Sequence, residues 1–390
     1  MLVPRFRIAT LLTLLLLSAT AGAQEFFVSV AENAFTKAHR TTNLVTGPLH
    51  FQAFDAGISW QVTDTETARL YASPRFGIGF SYANLGSCEC IPGSRLGDSF
   101  TFYARFDRPL LQLGPVSAGY DLEFGAAIMT HWYDRFDNPV NQLYGGPYSN
   151  HTKMGAYFRV QASPRMALRA EVNFRHNSNG RLFVPNGGVN SVSYGLAAFY
   201  AVGDKTLKPG SRRPATGDPL ERKFRVALFA GGGIHRCMAE YDADLLLPPE
   251  QRQDRYTPWF KGSVGAEVDW RYSRRSSTGV QAEFWYLSNT DAIRRADNAL
   301  YGPAARRYSP FAAGIGLIQD FYLGSFTAGI GLGGYLFKES GVHEDNGRLY
   351  QKVYLRYYPP ALKRVFAGAA IRAHRFGKAD YIEFSIGTVL

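Results

Sequence analysis

The chain has 390 residues, 43 Lys and Arg against 32 Asp and Glu, a formal net charge of +11, 40 Gly and 14% aromatic residues, with a mean hydropathy of −0.18. No stretch beyond the N-terminus reaches the roughly 18 apolar residues of a transmembrane helix, which excludes a helical membrane protein. The basic residues are scattered, without a helix-turn-helix pattern or zinc-ligand spacing, so nucleic acid is not the expected partner. Attraction to phosphorylated lipid suits the charge better.

In chain order, the first element is an export signal. Arg5 and Arg7 precede the apolar run Ile8–Leu17, and Ala21-Gly22-Ala23 fits a signal-peptidase cleavage pattern. Residues 1–23 are therefore expected to be a signal peptide, with Gln24 as the mature N-terminus, and the mature chain is expected outside the cytoplasm.

From there the pattern has period two. A first strand is expected near Phe26–Val30. Phe100, Phe102, Ala104 and Phe106 share one face of another. Ala118, Tyr120, Leu122, Phe124 and Ala126 alternate with Gly119, Asp121, Glu123 and Gly125. Met154, Ala156, Phe158 and Val160 alternate with Gly155, Tyr157, Arg159 and Gln161. Val264, Ala266, Val268 and Trp270 oppose Ser263, Gly265, Glu267 and Asp269. Phe326, Ala328, Ile330 and Leu332 repeat the pattern, and Tyr381–Leu390 ends the chain with Ile382, Phe384, Ile386 and Leu390 on one face. Each strand has one face for hydrocarbon and one that accepts charge.

The connections alternate in length. Thr63–Thr67, Ser163–Arg165, Arg274–Ser277, Gly324-Ser325 and Pro359-Pro360 are short; Asn84–Gly97, Thr130–Thr152, Met238–Thr257 and Asn289–Tyr308 are long. Short periplasmic turns and long outer loops mark an outer-membrane barrel. The expected fold is an all-β, antiparallel transmembrane barrel of about sixteen strands. The Pro- and Gly-rich connection 203–222 divides it into halves 24–202 and 223–390. One continuous barrel, with the first strand against the last, is the preferred architecture; two tandem eight-stranded barrels are the alternative. Of three cysteines, Cys88 and Cys90 are read as a loop disulfide and Cys237 as a spare thiol, ahead of a metal site.

The strand Met166–Ser178 carries the candidate chemistry. Met166, Leu168, Ala170, Val172 and Phe174 share the apolar face, and continuing the period puts His176 and Ser178 on it. Residues two apart on a strand lie side by side, so the imidazole can take the hydroxyl proton. Asn190 falls on the same face of the returning strand and can hold the imidazole. Asn179 and Gly180 can offer an amide and a backbone N–H to an oxyanion. No cofactor or metal is called for. The competing explanation is that His, Ser and Asn mark the membrane boundary. His131, His151, His235 and His343 fall in expected loops without such partners. Phe284–Asn289 echoes the motif with Tyr286 where His176 stands, and is read as coincidence or a decayed copy.

His176-Asn-Ser-Asn-Gly180 followed by Pro185-Asn-Gly-Gly-Val-Asn190 resembles the motifs of the lipid A 3-O-deacylases, also called acyloxyacyl hydrolases. Asp137-Asn-Pro-Val-Asn141 with Ser149-Asn150 resembles the Asn-Pro loop of their longer members. The resemblance covers roughly residues 50–202. It implies an outer-membrane barrel esterase with His176 as base and Ser178 as nucleophile. The small members carry Glu where this chain has Asn190, and they are single eight-stranded barrels, so residues 223–390 have no counterpart there. The expected function is hydrolysis of an ester-linked acyl chain of lipid A or a related lipopolysaccharide. The alternatives are a non-catalytic pore or adhesin and a barrel phospholipase.

Overall fold

The computed structural model of the chain describes residues 24–36, 50–63, 66–87, 93–202, 223–303, 306–362, 364–375 and 378–390. The expected signal peptide 1–23, the connection 203–222 and the Cys88–Cys90 pair lie outside these residues.

Sixteen antiparallel strands form two closed barrels. The first comprises β1 (Gln24–Phe35), β2 (His50–Gln61), β3 (Arg75–Ala83), β4 (Ser99–Leu113), β5 (Val116–Met129), β6 (Tyr148–Gln161), β7 (Met166–Ser178) and β8 (Val189–Val202). The second comprises β9 (Lys223–His235), β10 (Trp259–Arg271), β11 (Ser276–Leu287), β12 (Tyr308–Leu323), β13 (Phe326–Ser340), β14 (Leu349–Tyr357), β15 (Val365–His374) and β16 (Lys378–Val389).

The expectation of one continuous barrel is overturned, and the tandem alternative is the architecture. β1 pairs with β8, from Gln24↔Val202 to Phe35↔Ser191. β16 closes instead on β9, from Phe384↔Gly232 to Val389↔Ala227. The physical reason lies in the inward faces. Eight strands enclose a space that side chains can fill, and the charges inside each half complement one another. In the first barrel Arg169 donates to Asp107 at 2.8 Å and lies 2.9 Å from Asp121 and 2.8 Å from Glu171. Lys153 lies 2.7 Å from Glu123, Arg175 pairs with Asp55 at 3.0 Å, and Arg159 reaches Glu25 on β1. The second lumen is filled the same way, with Arg356 on Glu267 and Lys352 on Glu283 and Glu383 at 2.7 and 3.0 Å. Such charges are tolerated away from water only when paired. A sixteen-stranded closure would separate them across a wide, wet channel.

The period-two expectation for β7 is met. Met166, Leu168, Val172 and Phe174 are 41–58% exposed, while Arg169, Glu171 and Arg175 are at most 6% exposed. Close approach inside the wall depends on missing side chains. A Cβ on Gly79 would lie 2.4 Å from the Tyr103 ring, so the tyrosine packs flat across that position.

Among the described residues, three α-helices depart from the all-strand expectation. α1 (Glu66–Tyr71) lengthens the β2–β3 turn, and α2 (Met238–Asp244) and α3 (Thr290–Tyr301) cap the second barrel. Cys237, Ala239, Ile293 and Ala296 form the contact between α2 and α3. Period-two reading passes over such short apolar stripes set inside polar loops.

The barrels stand side by side with like ends level. At the short-turn end Arg274 pairs with Glu66 at 2.9 Å, and the Tyr71 hydroxyl donates to the Tyr322 carbonyl at 2.8 Å. At the long-loop end Tyr133 and Val184 of the first barrel pack with Tyr241 and Tyr256 of the second. Arg135 pairs with Asp254 at 2.7 Å.

Candidate active site

β7 and β8 form one hairpin in the wall of the first barrel. Register pairs His176 with Asn190, and Ser178 with Asn150 on β6. His176 follows the exposed Phe174 on the outer face, while its neighbours Arg175 and Asn177 point inward, where Asn177 meets His151 at 2.8 Å. His176 and Ser178 are thus outside the lumen.

The three predicted residues meet. His176 Nδ1 lies 2.5 Å from Asn190 Oδ1, and His176 Nε2 lies 2.8 Å from Ser178 Oγ. An amide oxygen only accepts, so Nδ1 carries the hydrogen, and Nε2 is left to accept from the Ser178 hydroxyl. Ser178 and Asn190 are 7% and 8% exposed, although their outer face is elsewhere open. The loop 179–188 packs on Ser178, and the second barrel meets that loop: a Cβ on Gly180 would come 2.6 Å from Ile382 Cγ1.

The segment after Ser178 is a tight turn. Leu182 N–H donates to the Asn179 carbonyl at 3.1 Å, and Gly180 and Arg181 have φ of 60° and 63°. Two successive left-handed residues define a type I′ turn. Asn179 N–H donates to Asn186 Oδ1 at 3.0 Å, which occupies that backbone donor. Asn179 Oδ1 accepts from Phe183 N–H at 3.3 Å, which leaves the side-chain amide hydrogens as its available donors.

Gly188 packs on Ser178 from the other side, where a Cβ would lie 3.1 Å from Ser178 Cβ. Gly187 and Gly188 donate to the carbonyls of Gln142 and Leu143 at 2.9 and 3.0 Å. The loop 130–147 therefore supports the loop 179–188. It is itself braced by Asn138, whose amide donates to the Arg95 and Trp132 carbonyls at 2.8 and 2.9 Å.

Two polar residues near the serine, Asn186 and Asn150, lie in the segments that carry the family resemblance but have no role assigned by the sequence. Asn186 holds the Asn179 backbone. Asn150 is the cross-strand neighbour of Ser178, and its Nδ2 is buried without a hydrogen-bond partner. A buried amide donor left unsatisfied is rare and costly. Only the β6–β7 register brings Asn150 to the serine, 28 positions away in the chain.

The other histidines differ partly from expectation. His151 and His235 lie on β6 and β9 rather than in loops. His343 pairs with Asp242 at 2.5 Å, and His131 meets the Thr130 hydroxyl at 3.1 Å. Cys237 is a buried free thiol. Glu267, Asp269 and Asp320 converge in the second lumen, where Arg356 and Arg225 already neutralise them.

Two family models match the chain in tandem: lipid A 3-O-deacylase over residues 54–198, and acyloxyacyl hydrolase, C-terminal domain, over residues 223–389. The chain belongs to the lipid A 3-O-deacylase, or acyloxyacyl hydrolase, family. The second barrel matches the acyloxyacyl hydrolase C-terminal domain. Among solved structures, the outer membrane enzyme PagL is similar at 17% identity over 44% of this chain and 97% of that chain, with a TM-score of 0.30. Neisserial surface protein A is similar at 12% identity over 46% and 98%, with a TM-score of 0.31. No curated protein matches the chain. Family membership supports lipid A deacylation, and hence ester hydrolysis, in the outer membrane.

Proposed function

We propose that the chain is a serine ester hydrolase that removes an ester-linked acyl chain from lipid A. The carrying observation is the hydrogen-bonded chain Ser178–His176–Asn190 on the outer, apolar face of the first barrel. That face meets lipid as far as Phe174, which is 41% exposed, so the substrate's acyl chain approaches along it to the edge of the loop 179–188 that packs on the serine.

Ser178 Oγ attacks the ester carbonyl while His176 Nε2 takes its proton. Nδ1–H stays on the imidazolium and donates to Asn190 Oδ1. Asn190 fixes tautomer and ring orientation but brings no negative charge. The Asn179 side-chain amide, Gly180 N–H and Asn150 Nδ2 are the donors for the oxyanion. Collapse breaks the ester bond, and His176 returns the proton to the departing sugar oxygen. Water, deprotonated by His176, then attacks the acyl-serine and releases the fatty acid and free Ser178.

The pore reading loses its support with the single barrel, since both lumens are filled by paired charges. A phospholipase would use the same serine and differ only in headgroup. The test is mass spectrometry of lipid A and of phospholipids from membranes with equal folded protein. Loss of one acyl chain from lipid A, absent in Ser178→Ala, supports the proposal. Phospholipid cleavage with unchanged lipid A would replace it.

A further inference from the structure

Among the described residues, the second barrel carries no Ser–His pair like that on β7, yet its long-loop end is built against the turn that follows Ser178. Arg181 is the unusual residue of that turn. Gly is at ease in a left-handed conformation at Gly180, but a long side chain with φ of 63° must be held there by its surroundings.

The restraints come from the other barrel. The Arg181 carbonyl accepts from Arg236 N–H at 2.7 Å, just beyond β9. Arg181 Nη1 donates to Glu344 Oε2 at 2.8 Å, in the β13–β14 loop. Both side chains are buried, at 3% and 6% exposure. Burial alone would push the Glu344 carboxyl up, but Arg181 foremost among nearby cations holds it well below the usual carboxylate range. Ile382 on β16 closes against Gly180. The turn is thus held by three separate pieces of the second barrel.

We infer that the second barrel is a positioning scaffold for the hydrolytic site, and that the Arg181–Glu344 ion pair holds the Asn179 and Gly180 donors where the oxyanion forms. The inference rests on the hydrolase reading of Ser178. Oxyanion donors act only at hydrogen-bond distance from the developing charge, and they sit one and two residues before Arg181. Glu344 does not reach the substrate, so it is a positioning residue. Its loss lowers the rate of acyl transfer and leaves lipid binding in place.

The experiment uses the full chain folded in detergent with purified lipid A, and compares wild type, Ser178→Ala, Glu344→Gln and Glu344→Asp, each normalised to heat-modifiable folded barrel. The expected result is a kcat for Glu344→Gln lower by about 100-fold, the scale of a 1 Å misplacement, with KM within about twofold of wild type because ground-state binding is untouched. Glu344→Asp keeps the charge and recovers part of the rate. It also serves if Glu344→Gln folds poorly. Labelling of Ser178 by a small fluorophosphonate, which needs no lipid binding, slows in parallel. A Glu344→Gln enzyme with wild-type kcat and wild-type labelling overturns the scaffold role while leaving Ser178 as nucleophile. Wild-type activity equal to that of Ser178→Ala overturns the hydrolase reading, and the scaffold role with it.

Discussion

Asn190 Oδ1 stands 2.5 Å from His176 Nδ1 across the β7–β8 hairpin, and the same ring presents Nε2 to Ser178 Oγ at 2.8 Å. One neutral amide therefore fixes the tautomer in which Nε2 accepts from the serine hydroxyl. Ser178→Ala is expected to abolish acyl release and His176→Ala to reduce it nearly as far, since a hydroxyl without a base is a poor nucleophile. Both variants should yield normal amounts of folded barrel. Mass spectrometry of lipid A reads the first outcome and heat-modifiable mobility the second; full activity in Ser178→Ala would remove the proposed nucleophile.

Asn190→Ala should be milder than either, because it removes orientation and leaves the base. Asn190→Glu should preserve or raise the rate, since a carboxylate in contact with Nδ1–H stabilises the imidazolium that forms during attack. A large loss of kcat in Asn190→Glu would mean that the third position requires a neutral partner.

Asn150 provides an independent test of the oxyanion site. Its Nδ2 is buried, unsatisfied and beside Ser178. Asn150→Ala should lower kcat by roughly 100-fold, the usual effect of deleting one oxyanion donor, with KM little changed. An Asn150→Ala enzyme as fast as wild type would leave the orphaned amide without a catalytic role.

Arg169 faces Asp107, Asp121 and Glu171 at the centre of the first lumen and is 1% exposed. Arg169→Met leaves three carboxylates with less compensation. The expected cost is about 3–5 kcal/mol, as for breaking a buried pair from one side. Urea unfolding of the refolded barrel measures it, and an unchanged midpoint would show that the remaining cations suffice.

Burial pushes the Cys237 thiol up to about 12, with the Glu344 charge adding to the effect. Only the thiolate reacts, so maleimide should leave Cys237 unmodified in the folded protein near pH 8 and modify it after unfolding. Peptide mass mapping checks this. Rapid labelling of the folded chain would show that α2 and α3 do not seal the thiol.

The sequence by itself determined what depends on neighbouring residues. Period-two alternation sets which face of each strand meets lipid, so the sixteen strands and the outward direction of His176 follow from local spacing. The placement of His176 beside Ser178 is equally local, because residues two apart on a strand always share a face. Only the tertiary structure decided where the barrel closes. The edge of β1 can accept β8 or β16 with the same alternation, and the choice falls to inner faces whose charges pair only across a narrow lumen, as Arg159 does with Glu25. The same reason hid the proximity of Asn150 to the serine, and the pairing of Arg181 with Glu344. Cross-strand register brings Asn150 to the serine, and the docking of two barrels buries Arg181 on Glu344, 163 positions away. No periodicity along the chain encodes such contacts, because each depends on which surfaces meet after both barrels have closed.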